Sequence, residues 1–314
     1  MTQTYTYEDL KTMQAWSIER KIKVTQAKII EWYTRFDGYV YVSFSGGKDS
    51  TVLLDLARRI YPDIKGVFVD TGLEYPEIRS FVKTKDNIEW IRPKIPFNQV
   101  IEKYGYPIIS KEVSRDIGVA KNKPDGKTAE KFKKDSEYTK KYGDRWCLEK
   151  YAYLIDAPFT ISNKCCNIMK KNPLKEYHNE TGLRPIIATM ASESVLRKKD
   201  WLEKGCNAFD NKNPISKPMS FWTEQDVLTY LKKFDIDYCL YGDIIEQDKK
   251  LKTTGLERTG CMFCMYGIQS EKEPNRFQKM KTTHPKQYEY CRKSVDEGGL
   301  GMKEVLEYIN VKTE

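Results

Sequence analysis

The stretch Tyr41-Val42-Ser43-Phe44-Ser45-Gly46-Gly47-Lys48-Asp49-Ser50-Thr51 decides the fold. It continues an apolar run of β-branched and aromatic residues, which is typical of a buried strand. It precedes residues 52–60, where apolar side chains recur at helical spacing. Glycines let the backbone approach a ligand closely, and the first turn of a helix presents unpaired amides and a positive dipole. With the Lys48 ammonium and the serine and threonine hydroxyls added, the stretch predicts a polyphosphate site.

The loop is not a Walker A loop, which requires a glycine five positions before its Gly-Lys-Ser/Thr end. Val42 occupies that place, and Asp49 follows the lysine. Residues 45–50 instead resemble the PP-loop of the ATP pyrophosphatases, which split ATP between its α and β phosphates. The resemblance implies that the loop binds ATP and that Lys48 and Asp49 are catalytic.

The chain around the loop predicts an α/β fold with a doubly wound, mostly parallel sheet of the adenine nucleotide alpha-hydrolase type. Strand-like runs at 65–70, 87–92 and 185–190 alternate with helical segments, as in βαβ units. We expect three regions. They are a helical segment at 1–36, a nucleotide-binding domain at 37–235 with a helical insertion at about 97–180, and a helical region at 236–314. The first segment is expected to pack on the first strand or on a second copy in a homodimer.

Parallel sheets bind ligands beyond the carboxyl ends of their strands. Asp70-Thr71-Gly72 lies at such an end, one βα unit after the loop. An aspartate there is able to hold a ribose hydroxyl or a Mg²⁺ ion, and a glycine permits close approach. The residues predicted to bind ATP and Mg²⁺ are Ser43, Ser45, Gly46, Gly47, Lys48, Asp49, Ser50, Asp70, Thr71 and Gly72.

Charge and composition narrow the class of protein. The chain has 54 Lys and Arg against 45 Asp and Glu, a formal net charge of +9. Much of the excess lies at 121–150, where tyrosines and a tryptophan interleave. Such a surface binds nucleic acid, either tRNA or DNA, because binding releases counterions from the phosphates. Anionic nucleotides favour it too, and a plain solvated helical face explains the same run.

The sequence gives no sign of a membrane partner. No apolar run approaches the roughly 20 residues that a membrane span requires, and the mean hydropathy is -0.67. The first residues have neither a basic nor an apolar region, so we expect a cytoplasmic protein. In that compartment the eight cysteines are expected to serve metal or redox chemistry rather than structural disulfides.

Two cysteine pairs are candidates for a metal centre. Cys165 and Cys166 are adjacent, and Cys261 and Cys264 form a CxxC turn. Two such pairs supply four thiolates to a zinc ion or to an iron–sulfur cluster. Adjacent cysteines strain a mononuclear site, whereas a larger cluster has more room. Spacing alone leaves both open, as it leaves buried or redox-active thiols without metal.

Together these motifs resemble the phosphoadenosine phosphosulfate (PAPS) reductase family of PP-loop proteins, over about residues 39–268. The cysteine pattern is similar to the branch that carries a 4Fe–4S cluster, which includes adenosine phosphosulfate reductases and DNA phosphorothioation proteins. The resemblance implies that Cys165, Cys166, Cys261 and Cys264 are cluster ligands, with Cys147 as a replacement for one of the adjacent pair. It also implies that the segment from Glu193 to Arg197, together with Lys111, binds an anionic substrate, with Arg197 also acting in catalysis.

Two departures from the family pattern favour ATP over a sulfonucleotide. Assimilatory reductases carry a nucleophilic cysteine in a Glu-Cys-Gly-Leu-His segment, which residues 304–314 lack. The family often has an arginine where Met190 stands. We therefore expect an enzyme that releases pyrophosphate from ATP and activates an anionic substrate for sulfur transfer or nucleotide modification, with a sulfur-donor protein as a partner. The alternatives are a sulfonucleotide reductase using Cys206 or Cys291, and a nucleic-acid-binding module with a Cys₄ metal site.

Overall fold

The computed structural model describes residues 5–210 and 212–314, which divide into two units. The first unit comprises the described residues through Asp70, with Glu74–Arg92 and Pro173–Thr259. The second comprises Thr71–Leu73, Pro93–Asn172 and Gly260–Glu314. The strands are β1 Val40–Ser43, β2 Gly66–Val69, β3 Ile88–Ile91, β4 Ile108–Ile109, β5 Arg184–Ile186, β6 Asn207–Ala208, β7 Ile215–Ser216, β8 Ile244–Gln247, β9 Lys250–Thr253 and β10 Met265–Tyr266.

Helices occur in both units. Those that lie in the first unit, apart from the first residue of α9, are α1 Tyr7–Gln14, α2 Ile18–Arg35, α3 Lys48–Arg58, α4 Pro76–Lys83, α9 Asn172–Thr181, α10 Val195–Lys204 and α11 Glu224–Lys233. Those of the second unit are α5 Phe97–Tyr104, α6 Lys111–Asn122, α7 Lys127–Glu130, α8 Glu137–Tyr142, α12 Arg276–Thr283, α13 Pro285–Arg292 and α14 Met302–Tyr308.

The first unit is built on a six-stranded sheet in the order β3-β2-β1-β5-β7-β6. Every neighbouring pair is parallel except β6 and β7. The prediction of an α/β fold with a mostly parallel sheet is confirmed. Strand β1 is buried along Val40, Tyr41 and Val42, as expected for a parallel strand covered on both faces.

The helices that flank the phosphate loop are held by apolar burial. Val52, Leu53 and Leu56 of α3 are fully buried, which fixes the start of this helix relative to β1. The N-terminal segment breaks into α1 and α2, and Ile29 and Trp32 of α2 are equally buried within the first unit. Each such side chain contributes about 1.5–3 kcal/mol of burial free energy.

Two details differ from the sequence-based expectation. Strand β5 ends at Ile186 rather than 190, and the Met190 amide donates to the Glu193 carboxylate instead of to a neighbouring strand. The region from 236 was expected to be helical, but β8 and β9 form an antiparallel hairpin within the first unit. The part of this region after residue 270 contains the three helices α12, α13 and α14.

The second unit is mainly helical. Its short strands β4 and β10 pair in parallel, with Met265 opposite Ile108 and Tyr266 opposite Ile109. Ile109 adopts φ 62°, a left-handed conformation that a β-branched residue rarely takes and that concentrates at functional sites. Among the described helices of either unit, none is long and apolar enough to cross a membrane.

Candidate functional site

The phosphate loop connects the carboxyl end of β1 to the first turn of α3. Ser43 ends the strand, and Gly47 is the N-cap of the helix. The Ser45 amide donates to Ser50 Oγ at 3.1 Å, and Ser50 Oγ donates to the Gly47 carbonyl at 2.9 Å. These bonds hold the loop in shape. The Asp49 and Ser50 amides have no acceptor among the described residues, so the helix presents open donors, as an anion site requires.

Gly46 occupies a position that no other residue fits. Its φ is 73°, and an added Cβ would lie 2.9 Å from methyl groups of both Ile78 and Val82. Gly182, at the end of α9, has φ 72° but no atom within 4 Å of an added Cβ. Substitutions at these two glycines therefore distinguish the cost of a left-handed backbone from the cost of close packing.

Gly46→Ala is expected to lower the free energy of unfolding more than Gly182→Ala. Both alanines take on the left-handed cost of about 1–2 kcal/mol, and only the first adds an overpacking cost of about 1–3 kcal/mol. Only Gly46→Ala should also weaken ATP binding. Urea unfolding and ATP titration measure the two effects, and equal destabilisation by the two variants would contradict the close packing at Gly46.

Lys48 is buried, with 5% of its surface exposed, and its polar groups are held by residues far along the chain. Its amide donates to the Tyr241 hydroxyl at 3.2 Å. Its ammonium donates to the Glu257 carbonyl at 3.3 Å and lies 3.3 Å from the Glu224 carboxylate. A phosphate oxygen that binds Lys48 must replace these neighbours.

Asp49 and Arg197, both predicted to be catalytic, belong to one electrostatic network in the first unit. Burial raises the pKa of the Asp49 carboxyl, whereas Lys48 opposes this. Burial also lowers the pKa of Arg197, as does the Arg258 guanidinium, whereas Asp49 opposes this. Asp49 Oδ1 is buried without a hydrogen-bond partner among the described residues. The network combines cations with a carboxylate oxygen that lies 3.9 Å from the Lys48 ammonium and accepts no hydrogen bond from the described residues.

Glu193 positions Arg197. Its carboxylate accepts from the Met190 amide at 2.8 Å and pairs with the Arg197 guanidinium one helical turn away. Ser194 caps α10 by accepting from the Arg197 amide at 3.2 Å. The segment predicted to bind substrate thus presents one cation, Arg197, on a fixed support.

Asp70 lies beyond β2, whose Val67 pairs with Ser43 of β1. In a parallel pair both carboxyl ends meet one sheet edge, so Asp70 and the phosphate loop share that edge. Asp70 Oδ2 accepts from Arg79 at 3.0 Å and from Arg92 at 3.1 Å. Its other oxygen, Oδ1, is buried without a hydrogen-bond partner among the described residues, which suits a ribose hydroxyl or a cation ligand.

Thr71 and Gly72 belong to the second unit. Thr71 Oγ1 accepts from the Leu73 amide at 3.2 Å, which shapes the turn. Gly72 has φ 75°, and no atom lies within 4 Å of an added Cβ. The open space beside Gly72 fits its predicted role as a point of close approach.

The two cysteine pairs influence one another within the second unit. The Cys165 thiol donates a hydrogen bond to Cys166, which lowers the pKa of Cys166 and raises that of Cys165. Burial and the charges of Cys166, Cys261 and Cys264 raise the pKa of Cys165 further. Cys147 is not among the residues with the largest effect on the pKa of Cys165. The structure therefore brings together the four thiols that the resemblance implied.

The backbone at both pairs is built for this convergence. Cys166 begins a π-helical turn, Asn167–Lys171, a wide turn that is frequent at functional sites. The Cys264 amide donates to the Cys261 carbonyl at 3.1 Å, which closes the CxxC turn. The Arg276 guanidinium donates to the Cys264 carbonyl at 2.9 Å. Each pair is thus held by its own local structure.

Lys111 lies beside the cysteines. Lys111 and Lys170 help to lower the pKa of Cys166, so the predicted substrate-binding lysine stabilises a thiolate. Tyr266 is partly buried, and burial raises the pKa of its hydroxyl most, followed by the charges of Cys166, Cys165 and Cys264. Its hydroxyl has no hydrogen-bond partner of normal geometry among the described residues, although Ser114 lies near enough to lower its pKa.

The described residues contain no preformed site for a metal ion. Within residues 5–210 and 212–314, no three His, Cys, Asp or Glu side chains lie close enough together to ligate one metal ion. A mononuclear zinc site requires four ligand atoms at about 2.0–2.3 Å from the ion. A 4Fe–4S cluster distributes its four thiolates over four iron atoms, so their sulfur atoms lie farther apart.

Sequence reasoning missed four residues around Lys48 and Asp49. Tyr241, Thr259, Glu224 and Arg258 come from α11 and the segment after it. Thr259 Oγ1 lies 2.8 Å from the Tyr241 hydroxyl and would lie 3.0 Å from a Cβ on Gly47. The sequence offered one weak indication of their role, which is that Arg258 and Thr259 immediately precede Gly260 and Cys261 of the CxxC turn.

The chain is similar in sequence to known proteins. The family model for the phosphoadenosine phosphosulfate reductase domain matches residues 39–265. An adenosine 5'-phosphosulfate reductase of Staphylococcus haemolyticus is 26% identical over 223 residues, 67% of this chain and 68% of that protein. An uncharacterised protein of Methanocaldococcus jannaschii is 26% identical over 247 residues, 78% of this chain. The chain spans 45% of the length of that second relative.

Two solved structures match about three quarters of this chain. The PAPS reductase of Candida auris, as a phosphate complex, has a TM-score of 0.38 at 14% identity and covers 76% of this chain and 91% of that one. The U34-tRNA thiolase of Methanococcus maripaludis with its 4Fe–4S cluster has a TM-score of 0.35 at 16% identity, covering 72% and 69%. Because the family match extends over well more than half of its length, the chain belongs to the PAPS reductase family of PP-loop proteins.

Proposed function

We propose that this protein cleaves ATP between its α and β phosphates and transfers the adenylyl group to an anionic acceptor, as the activating step of sulfur transfer or nucleotide modification. The observation that carries the proposal is the first turn of α3. There the Asp49 and Ser50 amides have no acceptor among the described residues and Lys48 is buried beside them. Such a turn stabilises the negative charge of a leaving pyrophosphate.

The chemistry is a displacement at phosphorus. An acceptor oxygen attacks the α-phosphorus of ATP, the bond to the β-phosphate oxygen breaks, and pyrophosphate leaves with the electron pair. A sulfur nucleophile from a separate donor, which we take to be a partner protein, then displaces AMP from the adenylated acceptor. Lys48 and the loop amides neutralise the pyrophosphate, and Arg197, held by Glu193, holds the anionic acceptor. Positioning and charge stabilisation supply the catalysis.

Mg²⁺ fits the carboxylates of the first unit. The Oδ1 atoms of Asp49 and Asp70 are buried without a hydrogen-bond partner among the described residues, and Mg²⁺ prefers carboxylate and phosphate oxygens. When bound, the ion would neutralise phosphate charge in the transition state. Asp70 is already anchored by Arg79 and Arg92, so its remaining oxygen is oriented in advance.

A 4Fe–4S cluster fits the second unit. Four thiols come close enough to raise or lower one another's pKa, and the described side chains do not converge on a single ion. Lys111 and Lys170 favour the thiolate of Cys166, the form that ligates iron. When bound, the cluster would supply a site for sulfur or electrons. A zinc-bound Cys₄ module is the alternative, and the metal content of the purified protein distinguishes the two.

The alternative of a sulfonucleotide reductase lacks a suitable nucleophile in the places expected for it. Cys291 is fully buried and Cys206 is 5% exposed. Burial raises the pKa of Cys206 to about 11 and that of Cys291 to about 12. Buried thiols with a raised pKa are inert, since the thiolate is the nucleophile.

The test is to identify the products formed from ATP. Attack at the α-phosphorus gives pyrophosphate and adenylated acceptor, and it gives AMP in equal amount once added sulfide displaces the adenylyl group, whereas ordinary hydrolysis gives ADP and phosphate. Wild-type protein is incubated with ATP and Mg²⁺ and with candidate nucleotide, tRNA and DNA acceptors. Formation of ADP alone, or of sulfite from adenosine phosphosulfate and a dithiol, would overturn the proposal.

Asp49→Asn should raise the free energy of unfolding near pH 7 while slowing pyrophosphate release. Burial raises the pKa of Asp49 above its ordinary value of 3.8, so the ionised carboxylate destabilises the folded state. The protonated acid contributes favourably to the free energy of unfolding. This contribution is fully present below pH 3.8 and is lost as the pH rises through the folded-state pKa of Asp49. The advantage of asparagine should therefore be largest near pH 7 and vanish near about pH 3.

Urea unfolding at several pH values measures this difference. Asp125→Asn, at an exposed loop position, is the matched control and should leave stability unchanged at each pH. A lower stability of Asp49→Asn near pH 7 would mean that the attraction to Lys48 outweighs burial, which contradicts the assigned sign.

A further inference from the structure

A cavity of about 770 Å³ lies in the second unit, and its lining includes Ser114, which neighbours Tyr266, and Lys164, which precedes Cys165. One wall is the C-terminal half of α6, and the other is the extended segment at 159–164. Its apolar lining comprises Ile117, Leu154 and Ile161, of which the first two are 1% exposed. The volume is in the range of small-molecule pockets, about 300–1,000 Å³.

The lining is cationic. Among the described residues that line the cavity, no aspartate or glutamate occurs, and the cationic ones are Lys103, Arg115, Lys121, Lys123 and Lys164. Arg115 pairs with Asp116 at 2.7 Å. The four lysines form no ion pair with a carboxylate anywhere in residues 5–210 and 212–314. Exposed like charges that share one cavity repel one another, so a polyanion lowers their energy.

Aromatic rings accompany these cations. The Tyr104 ring lines the cavity with the Lys164 ammonium 5.0 Å and the Lys103 ammonium 5.5 Å from its centroid. Phe159 lines the opposite wall and is held edge-on against Tyr106. A nucleotide base is able to stack on such a ring, and the two ammonium groups beside the ring are able to bind the phosphates on either side of that base.

The exposed surface of the chain continues this pattern beyond the cavity. From the cavity residues Lys121 and Lys123 the chain enters α7 and α8, and residues 121–150 carry ten Lys or Arg against six Asp or Glu. Tyr142 and Trp146 are about half exposed, each with a cation near its ring. Basic surface with exposed rings is how single strands are bound without sequence preference.

We infer that this cavity binds one or two nucleotides of a single-stranded nucleic acid. Lys103 and Lys164 hold the phosphates, Tyr104 stacks on a base, and the apolar wall excludes water from it. A duplex keeps its bases stacked inside and offers no ring to Tyr104. Binding at this cavity does not depend on the ATP chemistry, so it is measured without ATP and either conclusion stands if the other fails.

The experiment is fluorescence anisotropy with a labelled single-stranded RNA and a DNA of the same sequence, each of about twelve nucleotides, and with the corresponding duplexes. Wild-type protein should bind either single strand more tightly than the duplex. K103Q/K164Q should weaken binding at least about tenfold and reduce the slope of log affinity against log salt by about 1.4, or 0.7 for each cation. Tyr104→Leu should weaken binding about 5- to 150-fold without changing the slope.

K279Q/K281Q removes the same charge from exposed positions on α12 in the same unit and should change affinity less than about twofold. Thermal denaturation of each variant confirms that it is folded. An equal loss in both double variants, or equal binding of duplex, would overturn the inference. Displacement of the oligonucleotide by AMP at equal concentration would overturn it as well, since it would assign the cavity to a free nucleotide.

Discussion

Lys48→Met is expected to reduce pyrophosphate release by about 10²–10³-fold, or roughly 3–4 kcal/mol of transition-state stabilisation. The Lys48 ammonium is the buried cation at the first turn of α3, where charge develops on the leaving group. Its neighbours Glu224 and the Glu257 carbonyl leave when phosphate binds. The loss should therefore fall mainly on kcat.

The same substitution should lower stability near pH 7. Lys48 Nζ lies 3.9 Å from Asp49 Oδ1 and opposes the effect of burial on the Asp49 pKa, so methionine leaves a largely buried carboxylate without this cation, which is destabilising. Lys65→Met is the control, because Lys65 pairs with Glu89 at 2.7 Å on the surface and should leave activity intact. Activity of Lys48→Met within about threefold of wild type would remove Lys48 from catalysis.

The part of the site that lies close together in sequence could be predicted from it. Strand, glycine loop and helix follow one another within residues 40–58, and apolar periodicity locates each of them. The position of Asp70 follows from parallel pairing, since every strand end meets one edge. These inferences need only local patterns and the rule for ligand sites in parallel sheets.

Residues that approach the loop from far along the chain could not be predicted. Tyr241 reaches the Lys48 amide across 193 positions, and nothing near residue 241 resembles a phosphate motif. The β8–β9 hairpin was missed because Asp248 and Lys249 turn at positive φ without the Asn-Gly or Gly signal that marks such turns. In both cases tertiary contacts determine the structure.

Cys264→Ser is expected to lower the iron content of anaerobically purified protein from about four atoms per chain to less than about one. Its thiol lies in the CxxC turn with Cys261, and its charge is one of those that raise the pKa of Cys165. Serine keeps the size of the side chain but is a poor ligand for iron. Iron and sulfide analysis with the visible absorption spectrum measures the loss without reference to activity.

Cys147→Ser is the matched control because Cys147 lies in the same unit and is partly exposed, as Cys264 is. It should retain about four iron atoms, since the hydrogen bond with Cys166, burial, and the charges of Cys166, Cys261 and Cys264 are what raise the pKa of Cys165. Loss of iron in Cys147→Ser with full retention in Cys166→Ser would instead make Cys147 the fourth ligand. Colourless wild-type protein would contradict the cluster altogether. A zinc content of about one per chain would then favour the Cys₄ metal site instead.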